Sequence, residues 1–204
     1  MILINSLRGW GLIGLISMLV NETLYLLFNG LKTYRNIGYK GKALVNTDNY
    51  NIPTPAIYLN KLKKIFENYQ DFTFVDVGSG KGRVLKAAVE LNFARIISIE
   101  KSNKLNEELK KTFKQKITYY EEDARDFLLT ESENAIFYFF ESFDENHFVS
   151  LIKKQIKQIS FKSLFVVLVY SRSKTELENY LEYFEIFHNF EFSKKRKMII
   201  LKKK

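Results

Sequence analysis

Phe74-Val75-Asp76-Val77-Gly78-Ser79-Gly80-Lys81-Gly82-Arg83 carries the decisive pattern of this chain: an apolar run ends in an acid, and three glycines then alternate. Phe72, Phe74, Val75 and Val77 suit a buried parallel strand closed by a glycine turn. Beyond the turn, Val84, Leu85, Ala88, Val89 and Leu91 give one apolar face at helical spacing within Lys81–Leu91, so the unit reads strand, turn, helix. Without Cβ atoms, Gly78, Gly80 and Gly82 can take the dihedrals of a tight turn and let a ligand approach the N–H groups at the helix start. Two other glycine-rich turns fit poorly. A dinucleotide fingerprint needs Gly-x-Gly-x-x-Gly, and a phosphate-binding P-loop needs Ser or Thr where Gly82 stands.

The run Val75-Asp76-Val77-Gly78-Ser79-Gly80-Lys81-Gly82 resembles the first motif of class I S-adenosylmethionine-dependent methyltransferases. The likeness extends from about Tyr50 to the C-terminus and is most specific between Phe74 and Asp123. It implies S-adenosylmethionine as cofactor, held by Asp76, Gly78, Ser79, Gly80 and Gly82. The strand-like run Arg95-Ile96-Ile97-Ser98-Ile99 ends at Glu100, where an acid would accept hydrogen bonds from both ribose hydroxyls. Ile117-Thr118-Tyr119-Tyr120 reads as a third strand leading to Asp123-Ala124, which the resemblance puts at the adenine edge. Asp123 and Asp126 also have a plainer reading as helix N-caps.

Upstream, Tyr50-Asn51-Ile52-Pro53-Thr54-Pro55 precedes a helical pattern of Ile57, Leu59, Leu62, Ile65 and Phe66. A similar lead-in occurs in bacterial methyltransferases of this type and, more distantly, in lysine methyltransferases of membrane proteins. Tyr50, Pro53 and Thr54 are therefore candidates for a lid, while proline at a helix start needs no function.

Ala135-Ile136-Phe137-Tyr138-Phe139-Phe140 is a buried-strand pattern, and relatives often follow it with Asn-Pro-Phe or Asn-Pro-Pro-Tyr. Here Glu141 and Ser142 replace the amide and the proline. A carboxylate at that place suits an amine acceptor: Glu141 or Asp144 would draw in an ammonium group, and Phe140 and Phe143 would offer it ring faces. The expected reaction is thus methyl transfer to nitrogen, with a protein lysine favoured as acceptor. Both acids also read as caps of a helix starting near Asn146.

Composition narrows the alternatives. The chain has 204 residues and is 46% hydrophobic, enough for one domain with a full core. With no cysteine there is no disulfide, thiol nucleophile or thiolate metal site, and two separated histidines, His147 and His188, make neither a triad nor a zinc centre. Seven of the excess positive charges lie in residues 194–204, leaving only +2 of the net +9 on the rest. Lys194–Lys204 is a candidate contact for RNA, DNA or an anionic membrane, although lysine outnumbers arginine throughout. An RNA or DNA methyltransferase, or a cofactor-binding subunit without turnover, are the rival readings.

The expected fold is an α/β, Rossmann-like, seven-stranded and mostly parallel sheet with helices on both faces, as the resemblance implies. Val149, Ile152, Ile156 and Ile159 mark a helix, Leu164–Tyr170 a strand, and Leu177, Tyr180, Leu181 and Phe184 another helix. Phe184–Phe192 and Met198–Leu201 read as a closing hairpin that adds an antiparallel strand. Residues 46–204 form the expected methyltransferase domain, and residues 1–45 an N-terminal helical extension. Asn21-Glu22-Thr23 interrupt its apolar runs, which disfavours a spanning helix and leaves an amphipathic helix packed on the domain or lying in a membrane interface. The expected location is cytoplasmic, with the packed helix favoured and peripheral membrane contact through it as the alternative.

Overall fold

A computed structural model of the chain describes residues 12–25, 27, 54–130, 134–140, 145–170, 182–193 and 196–204. In chain order the elements are α1 (residues 12–25), α2 (Ala56–Phe66), β1 (Thr73–Val77), α3 (Arg83–Leu91), β2 (Arg95–Ile99) and α4 (Asn103–Phe113). There follow β3 (Thr118–Tyr120), β4 (Asn134–Phe140), α5 (Glu145–Gln158), β5 (Ser163–Tyr170), β6 (Phe184–Ser193) and β7 (Arg196–Lys203).

Among the described residues seven strands form one sheet in the order β3-β2-β1-β4-β5-β7-β6. The first five run parallel, and β7 enters antiparallel between β5 and β6. β1 is buried at all five positions, as an interior strand of a sheet covered on both faces must be, polar Thr73 and Asp76 included. Phe74, Tyr138, Val167 and Ile200 meet α1, α2 and α3 on one face; Val75, Val77, Phe137 and Val166 meet Leu151 and Ile152 of α5 on the other. Chain order reverses beside β1, whose neighbours are β2 and β4, and a crevice at that switch point is where an open α/β sheet takes a ligand.

Several expectations change in detail. The first crossover helix starts at Arg83, not Lys81, because Gly80 and Gly82 hold left-handed dihedrals (φ 52° and 77°) that no helix can include. Phe184 belongs to β6, while Leu177, Tyr180 and Leu181 lie outside the described residues. The basic C-terminal run is not a free tail: it is β7, an interior strand whose Met198, Ile199, Ile200 and Leu201 are buried. Its lysines stand at the two strand ends, with Lys197 paired to Glu191 at 2.6 Å, so truncation there would remove core.

α1 packs on the domain, with Leu15 and Tyr25 in the same core cluster as Phe74. Two of its polar residues reach the domain: Asn21 Oδ1 accepts from Asn60 Nδ2 at 3.0 Å, and Glu22 is held by α2 and α3.

Gly82 is bound to be glycine by packing. A Cβ there would fall well inside contact distance of Leu109 Cδ2 and 2.8 Å from Phe113 Cε2, both on α4. Gly82→Ala should therefore cost about 2–4 kcal/mol, from left-handed backbone strain and overpacking together. A thermal melt checks this; an unchanged midpoint would mean that α4 yields without cost.

Candidate cofactor site

The site is built where β1 and β2 end. Hydrogen bonds from Gly78 and Ser79 N–H to the Ile99 carbonyl, at 2.9 and 3.2 Å, tie the glycine turn to the neighbouring strand. Gly82 N–H closes the turn on the Ser79 carbonyl at 2.8 Å. Gly78 shares the positive φ of the other two glycines, at 77°.

Glu100 braces the turn from the side. One carboxylate oxygen accepts from Gly80 N–H and the other from Ser102 N–H, each at 2.9 Å. Two ionised oxygens offer about four acceptor positions, so each retains one. Ser102 also caps α4 through Leu105 N–H, and Asn106 donates to the Glu100 carbonyl at 2.7 Å. Asn106 Oδ1 is buried without a hydrogen-bond partner among the described residues.

Behind the turn a polar row crosses the apolar sheet. Asp76 is in register with Ser98 on β2 and with Tyr138 on β4, so the three side chains share one face. All three are buried. Ser98 Oγ donates to Ser79 Oγ at 2.9 Å, which donates to the Asp76 carbonyl at 3.0 Å. Tyr138 donates a long hydrogen bond of 3.4 Å to Thr54 Oγ1, and burial pushes its hydroxyl well above the ordinary phenol range. Asp76 Oδ2 is buried without a hydrogen-bond partner among the described residues. Burial, and then the Glu100 charge, push its carboxyl up to about 8, against a smaller opposing hydrogen bond from Ser79.

The structure thus brings Asp76, Gly78, Ser79, Gly80 and Glu100 together, and adds Thr54 beside Tyr138. Gly82 stands at the back of the turn, against α4. Asp123 lies on the turn after β3, where no helix begins, so it is not an N-cap. Arg125 grips its carboxylate, Nε on Oδ1 at 2.8 Å and Nη2 on Oδ2 at 2.5 Å, and holds it at about 2. Ala124 is buried beneath. Asp126 accepts Lys154 Nζ on its backbone carbonyl at 2.8 Å. Tyr50, Pro53, Glu141 and Asp144 lie outside the described residues.

Several residues of the site escape a sequence reading. Ser98 and Tyr138 look like ordinary strand residues, and only the register sets them beside Asp76. Gln155 is fully buried in α5, where it accepts from Leu129 N–H at 3.0 Å and donates to the Phe127 carbonyl at 2.8 Å, fixing the segment after Asp123.

No family model matches the chain, and no curated protein matches it in sequence. Solved structures do match. A Pyrococcus horikoshii protein assigned as an RNA methyltransferase superposes with a TM-score of 0.58 at 15% identity, over 85% of this chain and 96% of that one. An Escherichia coli protein assigned as a methyltransferase gives 0.58 at 11% identity, over 76% and 90%. The magnesium protoporphyrin IX methyltransferase of Synechocystis, solved with bound S-adenosylmethionine, gives 0.53 at 13% identity, over 89% and 95%. The chain shares their fold. At such identities the likeness covers the architecture: a seven-stranded, mostly parallel Rossmann-like sheet closed by antiparallel strands.

Proposed function

We propose that this protein is an S-adenosylmethionine-dependent methyltransferase acting on a nitrogen acceptor, with a protein lysine favoured. The observation that carries the reading is the constellation of Asp76 and Glu100 around the glycine turn. Asp76 keeps a buried, unpartnered carboxyl oxygen beside the turn, which fits a cationic ligand. Glu100 keeps spare acceptor positions, which fits a ligand hydroxyl pair. The shared fold with methyltransferases supports the same assignment.

When bound, the cofactor supplies an electrophilic methyl group on a sulfonium. The chain's own residues then have distinct tasks. Gly78, Ser79 and Gly80 form the backbone floor, Glu100 orients the ribose, and Asp76 balances positive charge. Asp123 and Ala124 are assigned to the adenine edge; since Arg125 occupies the Asp123 carboxylate, direct use of that group requires their pair to open. Thr54, with Tyr50 and Pro53, is assigned to the entrance. Glu141 and Asp144 are the proposed acceptor-side acids. A lysine must lose its proton before it attacks, from an ordinary pKa near 10.4, and positive charge nearby favours that loss.

Calorimetric titration with S-adenosylmethionine and, separately, NAD tests the assignment. Binding of the first alone is expected, with loss of binding in Gly80→Arg, which fills the turn, and marked weakening in Glu100→Gln, which preserves shape. Binding of NAD alone, or undiminished S-adenosylmethionine binding in both variants, would overturn it. Methyl-labelled cofactor offered to protein and RNA fractions should then label lysine in protein; label in RNA alone would move the acceptor to nucleic acid.

A further inference from the structure

We propose that the outer face of α1 is a docking surface for an anionic lipid bilayer. A helix on a soluble domain normally turns its apolar stripe inward and its polar side to water. α1 is apolar on both sides: Leu15 and Tyr25 pack into the core, and a second apolar stripe faces outward. Asn21 and Glu22 face the domain, where Asn60, Ala56 N–H and Arg83 satisfy them. Leu12, Ile13, Ile16, Leu19, Val20, Leu24 and Leu27 are all exposed, Ile13 by 84%. At 100° per residue these seven fall within one continuous arc. Among the described residues the one other exposed large hydrophobic is Ile186, so the apolar surface is concentrated on this helix.

Charge selects the occupant. Residues 12–27 carry a single charge, Glu22, which is turned away from the outer face. The flanking sequence is basic: Arg8 precedes the helix, and residues 28–53 hold Lys32, Arg35, Lys40 and Lys42 against Asp48 alone. A surface of negatively charged lipid attracts such flanking charge, whereas a second copy of the chain carries the same positive charge. Because Leu15 and Tyr25 hold the inner face of α1 on the domain, only its outer face is offered to lipid, which suits a helix lying in the interface plane. Its inner face holds Arg83, directly after the glycine turn, and Ala56 N–H at the start of α2. Docking therefore holds that end of the sheet at the bilayer.

Flotation of the full chain with phosphatidylcholine vesicles, with and without phosphatidylglycerol, tests this independently of any methyl transfer. The protein should float with the anionic vesicles, less so in high salt, and Ile16→Glu/Val20→Glu should reduce recovery roughly ten-fold or more. Both side chains point outward, so the thermal midpoint of the double variant should not move; the single Ile13→Asn variant gives the same test should the double variant fold poorly. Absence of flotation, equal flotation of the variants, or a dimer that the substitutions dissociate without any vesicle binding would overturn the proposal.

Discussion

Asp76→Asn is expected to flatten the pH dependence of stability and to raise the thermal midpoint above pH 8. In the folded chain burial raises the Asp76 carboxyl to about 8, whereas the unfolded chain releases that proton near 3.8. Between those values the native state holds a proton that the unfolded state has lost, so stability falls as pH rises. The favourable contribution is complete below about 4 and gone above about 8. At about 1.4 kcal/mol per pKa unit the shift amounts to several kcal/mol, and the amide replaces the carboxyl at nearly the same size without titrating. Melts from pH 5 to 9 read the effect; parallel profiles for the two proteins would mean that Asp76 is not held protonated. The same group offers a ligand readout. A cation bound beside it favours the ionised form, so S-adenosylmethionine uptake at pH 7 should release up to one proton, seen as a binding enthalpy that depends on the buffer. Asp76→Asn should remove that dependence.

Glu22→Ala should lower stability by roughly 3–5 kcal/mol, because it leaves the buried Arg83 guanidinium without its carboxylate. The pair is close, at 2.6 Å, and the Arg83 side chain is only 8% exposed. The other Glu22 oxygen accepts Ala56 N–H at 2.5 Å, and α2 has no side-chain cap of its own. An anion at a helix N-terminus is favoured in any case. The substitution thus removes two anchors of α1 at once, to Arg83 and to Ala56 N–H, while the Arg83 guanidinium keeps its place 4.4 Å from the centre of the Tyr25 ring. For a chain of this size the midpoint should fall by about 10 °C. A double-mutant cycle with Arg83→Met separates attraction from desolvation: the double variant should recover part of the loss, since an apolar residue of similar length needs no partner. Additive losses would show that the two side chains do not act as a pair.

Local chemistry explains how much was legible beforehand. A buried strand, a glycine turn and an amphipathic helix are written in consecutive residues, so the stretch that starts at Phe74 announces the order of these elements. Glu100 is legible for the same reason, as the acid closing the next apolar run. α4 also carried a local signal, Ser102 as cap with Leu105, Leu109 and Phe113 at four-residue intervals, but its exposed polar sides dilute the pattern. The hairpin was visible as two strand patterns, yet whether β7 sits inside the sheet or at its edge depends on pairing with β5.

By itself the sequence determined the order of strands and helices around the glycine turn, because that follows from periodicity and from where glycine is placed; the seven-stranded Rossmann-like sheet was what the family resemblance implied, and the structure has it. Tertiary structure alone decided what each polar residue faces. Glu22 and Arg83 are 61 residues apart, and Gln155 serves a loop 26 and 28 residues before it. Asp76 owes its raised pKa to burial and to Glu100, neither of which is adjacent to it in the chain. Gly82 reads in sequence as room for a ligand, and in the folded protein that room is filled by Leu109 and Phe113 of α4. Apolar spacing fixes which side of an element is buried; the partner of a buried charge is set only when separate elements pack, since burial makes pairing obligatory without specifying the mate.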